Sequence, residues 1–147
     1  MFRSIVVGTD GSETAGKAVA AALDLARLAG ATLEVVSAYE PAPAQRLRAQ
    51  SRHVPADLEW TINPREDVEA TLGEVAEAAR DAGLEARTYA REGDPADAIL
   101  DVAEERGSDL IVVGNKGMTG AKRFLLGSIP NRVSHHAPCS VLIIRTT

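Results

Sequence analysis

The sequence at positions 110–114 is Leu110-Ile111-Val112-Val113-Gly114, an apolar run without a polar face. A short run that is apolar on both sides is typical of a central strand in a parallel sheet, because helices cover both faces of such a sheet. A similar run, Ser4-Ile5-Val6-Val7, lies near the N-terminus and is also followed by glycine. These two segments predict an α/β protein with a parallel sheet at its centre.

Strand and helix patterns alternate along the rest of the chain. The predicted strands are residues 4–7, 32–39, 84–91, 110–113 and 141–144. The predicted helices begin at Ser12, Pro64, Asp94 and Ser128, which are residue types that favour a helix start. Strands joined by helical crossovers form a doubly wound sheet, so we expect five parallel strands, four helices and one domain spanning residues 1–147. Residues 84–91 alternate in polarity and are expected at an edge, and residues 40–63 have the composition of a long loop.

Composition and charge argue against several classes of function. The net charge is −5 and aromatic residues make up 3%, which argues against a nucleic acid as the principal partner. Cys139 is the only cysteine, so no internal disulfide can form and a reducing, cytoplasmic location is expected. No segment has the pattern of a signal peptide or a membrane span, and no membrane association is expected. His135 and His136 are adjacent and diverge on a helix, so no metal site is expected.

The segment at residues 114–128 has features suited to an anion. Gly114-Asn115-Lys116-Gly117 follows the central strand, and Gly127-Ser128 lies where a helix begins. Glycine lets backbone N–H groups approach a phosphate without a Cβ in the way, and the positive end of a helix favours an anion. Side chains at Gly114 or Gly127 are therefore expected to block a phosphate, and Ser128 either caps the helix or donates its hydroxyl to the ligand. The chain contains no G-x-x-x-x-G-K-[ST] loop and no G-x-G-x-x-G after a strand.

As a unit, Gly114-x-x-Gly117, nine residues and then Gly127-Ser128 resemble the G-2x-G-9x-G-[ST] nucleotide motif of the universal stress protein family. Residues 5–12 are similar to the opening strand and turn of that family, and residues 137–144 are similar to its closing strand. The resemblance covers essentially the whole chain. It implies a Rossmann-like sheet of the adenine nucleotide alpha hydrolase type, in strand order 3-2-1-4-5. It also implies, as is common in the family, a homodimer along the last strand, residues 141–144.

The resemblance further implies a set of ligand contacts, since the motif is that of the ATP-binding branch of the family. Thr9 and Asp10 are then expected at the adenosine end, with Ala38 near the base. The ribose and phosphates are expected at Gly114, Gly117, Gly127 and Ser128, with Val113, Lys116 and Ile129 as secondary candidates. Pro130 departs from the family, in which a hydroxyl residue is often found at that position. ATP, with or without Mg²⁺, is the expected cofactor, and cyclic AMP or AMP are the alternatives.

Three kinds of function remain open at this point. The first is a regulatory stress-response module whose conformation depends on a bound adenine nucleotide. The second is a slow ATPase, which needs a metal ligand and a group that positions the nucleophile. Asp10 is the only carboxylate clearly placed for such roles, so no catalytic residue is nominated. The third is a dimer that recruits protein partners without a ligand.

Overall fold

A computed structural model of the chain describes residues 1–40, 64–115 and 126–146. Within these residues, five strands alternate with four helices. The strands are β1 (Ser4–Gly8), β2 (Thr32–Tyr39), β3 (Ala86–Glu92), β4 (Leu110–Gly114) and β5 (Ser140–Ile144). The helices are α1 (Glu13–Ala29), α2 (Arg65–Asp81), α3 (Pro95–Glu105) and α4 (Ser128–His136). None of these four helices is long and apolar enough to cross a membrane.

The described strands form one sheet in the order β3-β2-β1-β4-β5, and every neighbouring pair is parallel. β1 lies between β2 and β4, with Val7 opposite Val35 on one side and opposite Val112 on the other. The predicted fold class and strand order are therefore confirmed.

Hydrophobic side chains alternate between the two faces of this sheet. On one face the strands pack against α1 and α2 through a buried cluster that includes Ile5, Val19, Leu33, Leu72 and Val112. On the other face they pack against α3 and α4 through a cluster that includes Val6, Val36, Ile99, Ile111 and Val133. Because α1 and α4 lie on opposite faces, the chain leaves β1 and β4 in opposite directions. A crevice is the expected result beyond the carboxyl ends of these two strands.

Single residues fix several helix ends. Ser12 caps α1, and its hydroxyl accepts a hydrogen bond from a main-chain N–H of the first turn at 3.2 Å. Gly30 ends the same helix with a φ of 67°, a left-handed conformation that glycine adopts without steric strain. Asp94 caps α3 in the same way as Ser12 caps α1, because its Oδ1 accepts a hydrogen bond from a main-chain N–H of the first turn at 3.0 Å. A proline occupies the first helical position of α3. These ends agree with the predicted helices.

β3 lies at an edge of the sheet, as its alternating pattern predicts. It begins at Ala86, whereas the sequence pattern places the start at Leu84. The reason is local, because the N–H of Leu84 donates to the carbonyl of Ala79 at 2.8 Å and so belongs to the end of α2.

A buried carboxylate joins this edge strand to the interior. Glu34 of β2 is 1% exposed and lies in register between Val6 of β1 and Arg87 of β3. Its Oε2 accepts a hydrogen bond from the hydroxyl of Tyr89 at 2.8 Å, and its Oε1 lies 3.6 Å from a guanidinium nitrogen of Arg87. A buried charge is tolerated only with such partners, so β3 supplies what Glu34 requires. Burial, together with the hydrogen bond to Glu34, raises the pKa of Tyr89.

Replacing Glu34 by glutamine is expected to lower the pKa of Tyr89, because the amide carries no charge that disfavours tyrosinate. In the unchanged protein that pKa lies above its ordinary value of 10.0, so the folded state keeps a proton that the unfolded chain has lost. The free energy of unfolding should therefore fall as the pH rises above about 10. Tyrosinate absorbance against pH, in a Tyr39→Phe background that leaves one tyrosine, measures the pKa. An equal pKa with and without Glu34→Gln would contradict the assigned role of Glu34.

Candidate functional site

The turn after β1 places Thr9 and Asp10 at the carboxyl edge of the sheet, and both side chains are buried. The N–H of Thr9 donates to the carbonyl of Val36 at 2.9 Å, which ties the turn to β2. The carboxylate of Asp10 accepts a hydrogen bond from the N–H of Ser12 at 2.9 Å. Asp10 thus shapes the turn, while the cap of α1 comes from Ser12 itself.

Gly11 completes the turn with a φ of 82°. A Cβ at this position would lie 2.8 Å from Oγ1 of Thr71 in α2, which is closer than real side chains approach. The left-handed backbone and the close approach of α2 both favour glycine. Thr71 is therefore a neighbour of the candidate site that the sequence analysis did not identify.

Three of the predicted contact residues belong to the hydrophobic core. Ala38, Val113 and Ile129 are buried members of one cluster, on the face of the sheet that α3 and α4 cover. This cluster packs the ends of β2 and β4 together with the first turn of α4. Because the side chains of Val113 and Ile129 fill the core, main-chain atoms are what these two residues can offer a ligand.

The N-terminus of α4 presents an exposed serine. Gly127 is the N-cap in an extended conformation, with a φ of −61° and a ψ of 163°, and its carbonyl accepts from the N–H of Asn131 at 3.0 Å. Ser128 is the first helical residue and is exposed. The predicted alternative that Ser128 caps α4 is therefore wrong, because the cap position is the extended residue before the helix. Pro130 in the same turn has no N–H to offer an anion.

Gly114 ends β4, and a neighbouring part of the protein explains its missing side chain. Gly114 does not have a positive φ, so its backbone conformation does not require glycine. A Cβ here would lie 3.2 Å from Cγ2 of Thr146 and 4.0 Å from the Cβ of Ala18 in α1. The direction of its absent Cβ is thus taken by Thr146, which gives a structural reason for glycine here, and the predicted contact of Gly114 with a phosphate stays a prediction.

Asn115, the residue after β4, is held by the same C-terminal segment. Its Oδ1 accepts two hydrogen bonds from Thr146, one from the N–H at 2.7 Å and one from the hydroxyl at 3.1 Å. The N–H of Asn115 donates to the carbonyl of Ile144 at 3.0 Å. The carbonyl of Thr146 accepts a hydrogen bond from Nζ of Lys17 in α1 at 3.2 Å. Lys17, Asn115 and Thr146 form a set of contacts that we call the C-terminal brace.

Sequence reasoning gave no role to Asn115 or Thr146. The position of Asn115 directly after a strand could have marked it as a residue of the site. Its hydrogen-bond partner Thr146 could not have been found in the same way, because it lies 31 positions further along the chain. Lys116 and Gly117, both predicted as ligand contacts, lie outside the described residues, as does the predicted loop from residue 41 onward. No group of three or more His, Cys, Asp or Glu side chains suited to a metal ion occurs in residues 1–40, 64–115 and 126–146.

Comparison with known proteins gives a consistent result. The family model described as the universal stress protein family matches residues 1–145. Universal stress protein Rv1636 of Mycobacterium tuberculosis is 36% identical over 149 residues, which cover 99% of this chain and 98% of the relative. Universal stress protein YxiE of Bacillus subtilis is 34% identical over 148 residues, with coverages of 99% and 100%. A crystal structure of a universal stress protein in complex with cyclic AMP has a TM-score of 0.74 at 30% identity and covers 99% of both chains.

The contact between Gly114 and Thr146 predicts a coupled pair of substitutions. Gly114→Ala should be better tolerated together with Thr146→Ser, which removes Cγ2 and keeps the hydroxyl. We expect an interaction free energy of about 1 kcal/mol between the two changes, in the favourable direction. Urea denaturation of the two single variants and the double variant measures it.

Gly73→Ala is the matched control, because a Cβ at Gly73 in α2 has nothing within 4 Å. Its effect on the free energy of unfolding should be the same with and without Thr146→Ser. Additive effects of Gly114→Ala and Thr146→Ser would show that Thr146 does not occupy the space beside Gly114.

Proposed function

This chain belongs to the universal stress protein family, and from that premise we propose that it is a cytoplasmic binding module for an adenine nucleotide, with ATP as the first candidate. The observation that carries the proposal is the arrangement of two strand ends. β1 and β4 are neighbours in a parallel sheet, so the turn with Thr9 and Asp10 and the start of the motif at Gly114 lie at the same edge. Crevices at such a position are where open α/β sheets bind ligands.

In this proposal the N-terminus of α4 binds the phosphates. Ser128 is exposed and contributes its hydroxyl, while Gly127 and Ile129 contribute main-chain N–H groups at the positive end of the helix. Lys116 and Gly117 complete the phosphate site on the strength of the motif spacing. Pro130, in the same turn, offers the phosphates neither an N–H nor a hydroxyl. Ser128 therefore contributes more to phosphate binding than it would if residue 130 also carried a hydroxyl.

The adenosine end of the ligand lies, in this proposal, beside Thr9, Asp10 and Ala38. The hydrogen bond from Thr9 to Val36 holds the turn against β2, and Ala38 follows Val36 toward the end of the same strand. Asp10 accepts a hydrogen bond from Ser12 through Oδ1, and in this proposal its carboxylate also contacts a ribose hydroxyl or a Mg²⁺ ion that the nucleotide brings.

Cyclic AMP is the second candidate, because the universal stress protein crystallised with cyclic AMP is 30% identical to this chain over nearly its whole length. A ribose with one phosphate needs fewer of the contacts named above than a triphosphate does. The two ligands differ in the number of phosphates that reach the N-terminus of α4, and this difference makes them separable by titration.

We also propose that two copies associate through β5. This strand lies at an edge of the sheet, and it carries Val141, Ile143 and Ile144 partly buried and Leu142 39% exposed. An apolar edge strand presents unpaired main-chain groups and hydrophobic surface to a second strand. The nucleotide would then regulate a dimer, because Asn115 bonds directly to the end of β5 at Ile144.

Two measurements test nucleotide binding. Mass spectrometry identifies whatever nucleotide is released when the purified protein is denatured, and calorimetric titration of the emptied protein compares ATP, ADP, AMP and cyclic AMP. We expect saturable binding of at least ATP or cyclic AMP. If no nucleotide is released and none binds on titration, the proposed function is refuted.

Ser128→Ala should weaken ATP binding about tenfold, because a hydrogen bond to a charged group contributes about 1.5–3 kcal/mol. The matched control is Ser134→Ala in the same helix, whose hydroxyl donates to the carbonyl of Asn131 at 2.8 Å. Calorimetry of both variants gives the comparison. Equal ATP affinities for the two variants would remove Ser128 from the phosphate site.

Leu142→Lys should convert a dimer to a monomer, because it adds a charge at the apolar edge of β5. Leu28→Lys is the control, since Leu28 is 87% exposed on α1. Light scattering after size-exclusion chromatography gives the masses. A dimer that persists in Leu142→Lys, or a monomeric unchanged protein, argues against association through β5.

A further inference from the structure

We infer that Arg132 of α4 is a specificity-determining residue of the proposed nucleotide site, an inference that rests on the proposed function. It neutralises the carboxylates of Asp94 and Asp97 at the start of α3, at the same edge of the sheet as the proposed site. Without Arg132, these two charges would repel a ligand more strongly the more phosphates it carries. Arg132 therefore allows the site to accept ATP in addition to ligands of lower charge.

The first support is a double ion pair that joins α4 to α3. One guanidinium nitrogen of Arg132 lies 3.0 Å from Oδ1 of Asp94, and the other lies 2.6 Å from Oδ1 of Asp97. Both contacts have the geometry of hydrogen bonds. The planar set of donors in a guanidinium fixes its orientation when it bonds to two carboxylates at once. The three side chains together carry one formal negative charge instead of two.

The second support is the place of the two carboxylates in the fold. α3 follows β3, and the N–H of Gly93 in the connecting turn donates to the carbonyl of Tyr39, the last residue of β2, at 2.9 Å. Asp94 is the N-cap of α3 and Asp97 belongs to its first turn. Both therefore lie at the carboxyl edge of the parallel sheet, which also carries the turn with Asp10. This is the edge at which we propose that the nucleotide binds.

The third support is the position of Arg132 on α4. It follows Ser128 by four residues in the same helix, so the two side chains lie on one side of α4, one turn apart. Residues at this spacing have Cβ atoms about 6 Å apart, which is less than the screening distance of about 8 Å in physiological salt. A phosphate bound at Ser128 would therefore experience the charges of the ion-paired group.

A purely structural role of the double ion pair makes a different prediction. If Arg132 only held α4 against α3, loss of Arg132 and loss of Asp97 would weaken binding alike, with or without phosphates on the ligand. If Arg132 neutralises the carboxylates, the two losses have opposite effects on ATP and little effect on adenosine. The three side chains are 46–53% exposed, and exposed ion pairs contribute only about 0–1 kcal/mol to stability, so the variants should fold.

The test is calorimetric titration of Arg132→Gln, Asp97→Asn and the double variant with ATP and with adenosine at low salt concentration. We expect Arg132→Gln to weaken ATP binding about threefold to tenfold and Asp97→Asn to strengthen it about twofold, because they remove charges of opposite sign. The double variant keeps the net charge of the unchanged protein and should bind ATP within about twofold of it. Adenosine affinity should stay within about twofold throughout, because adenosine has no phosphate. Arg132→Lys, which keeps the charge, should bind ATP as the unchanged protein does.

Arg80→Gln and Asp81→Asn are the matched controls. They make the same chemical changes at the C-terminal end of α2, which lies at the opposite edge of the sheet, where β3 begins. Neither should change ATP affinity by more than about twofold, because this distance exceeds the screening length. The effects of Arg132→Gln and Asp97→Asn on ATP should both shrink as the salt concentration rises.

Several outcomes would overturn the inference. Equal losses for ATP and adenosine in Arg132→Gln, or no loss for ATP, exclude a role through charge. Weaker ATP binding in Asp97→Asn indicates a structural ion pair. A double variant as weak as Arg132→Gln indicates that Arg132 contacts the phosphates itself. An unchanged protein that binds cyclic AMP but not ATP overturns the inference and leaves nucleotide binding standing, whereas one that binds no nucleotide refutes the proposed function as well.

Discussion

The parallel pairing of β1 with β4 is the constraint on which the candidate site depends. Ile5, Val6 and Val7 lie opposite Leu110, Ile111 and Val112, and all six side chains are buried. Because these side chains are all apolar and buried, any shift of the register would place a different set of side chains in the core. The register fixes the height of the two strand ends relative to each other, and with it the separation of Asp10 from Gly114.

The C-terminal segment adds a polar constraint to this hydrophobic one. β5 returns beside β4, and Thr146 then reaches both Asn115 and Lys17. Hydrophobic packing resists separation of the strands but has little directional preference, whereas hydrogen bonds fix orientation. The hydrophobic interior of the sheet therefore determines where the ends of β1 and β4 lie. The C-terminal brace fixes the orientation of Asn115 at the end of β4.

Local chemistry made much of the fold predictable from the sequence. The roles of three helix-end residues follow from residue type and position alone, because each acts on its own helix: Ser12, Gly30 and Asp94. The apolar run of β4 likewise indicates burial on both faces of the sheet. The contacts that escaped prediction are tertiary. Thr71 beside Gly11 and Thr146 beside Gly114 join residues that are distant in sequence, and Ser128 was assigned as a possible cap because residue type alone does not reveal which residue is extended.

The two edges of the sheet differ in a way that limits how large an assembly can grow. The β3 edge bears Arg87, Arg91 and Glu92, and charges on an edge strand oppose the addition of another strand. The β5 edge is apolar. If two copies join through β5 as proposed, the edges that remain outside are the two charged β3 edges. Such a pair is closed, and filaments built by continuous strand addition are disfavoured from the start.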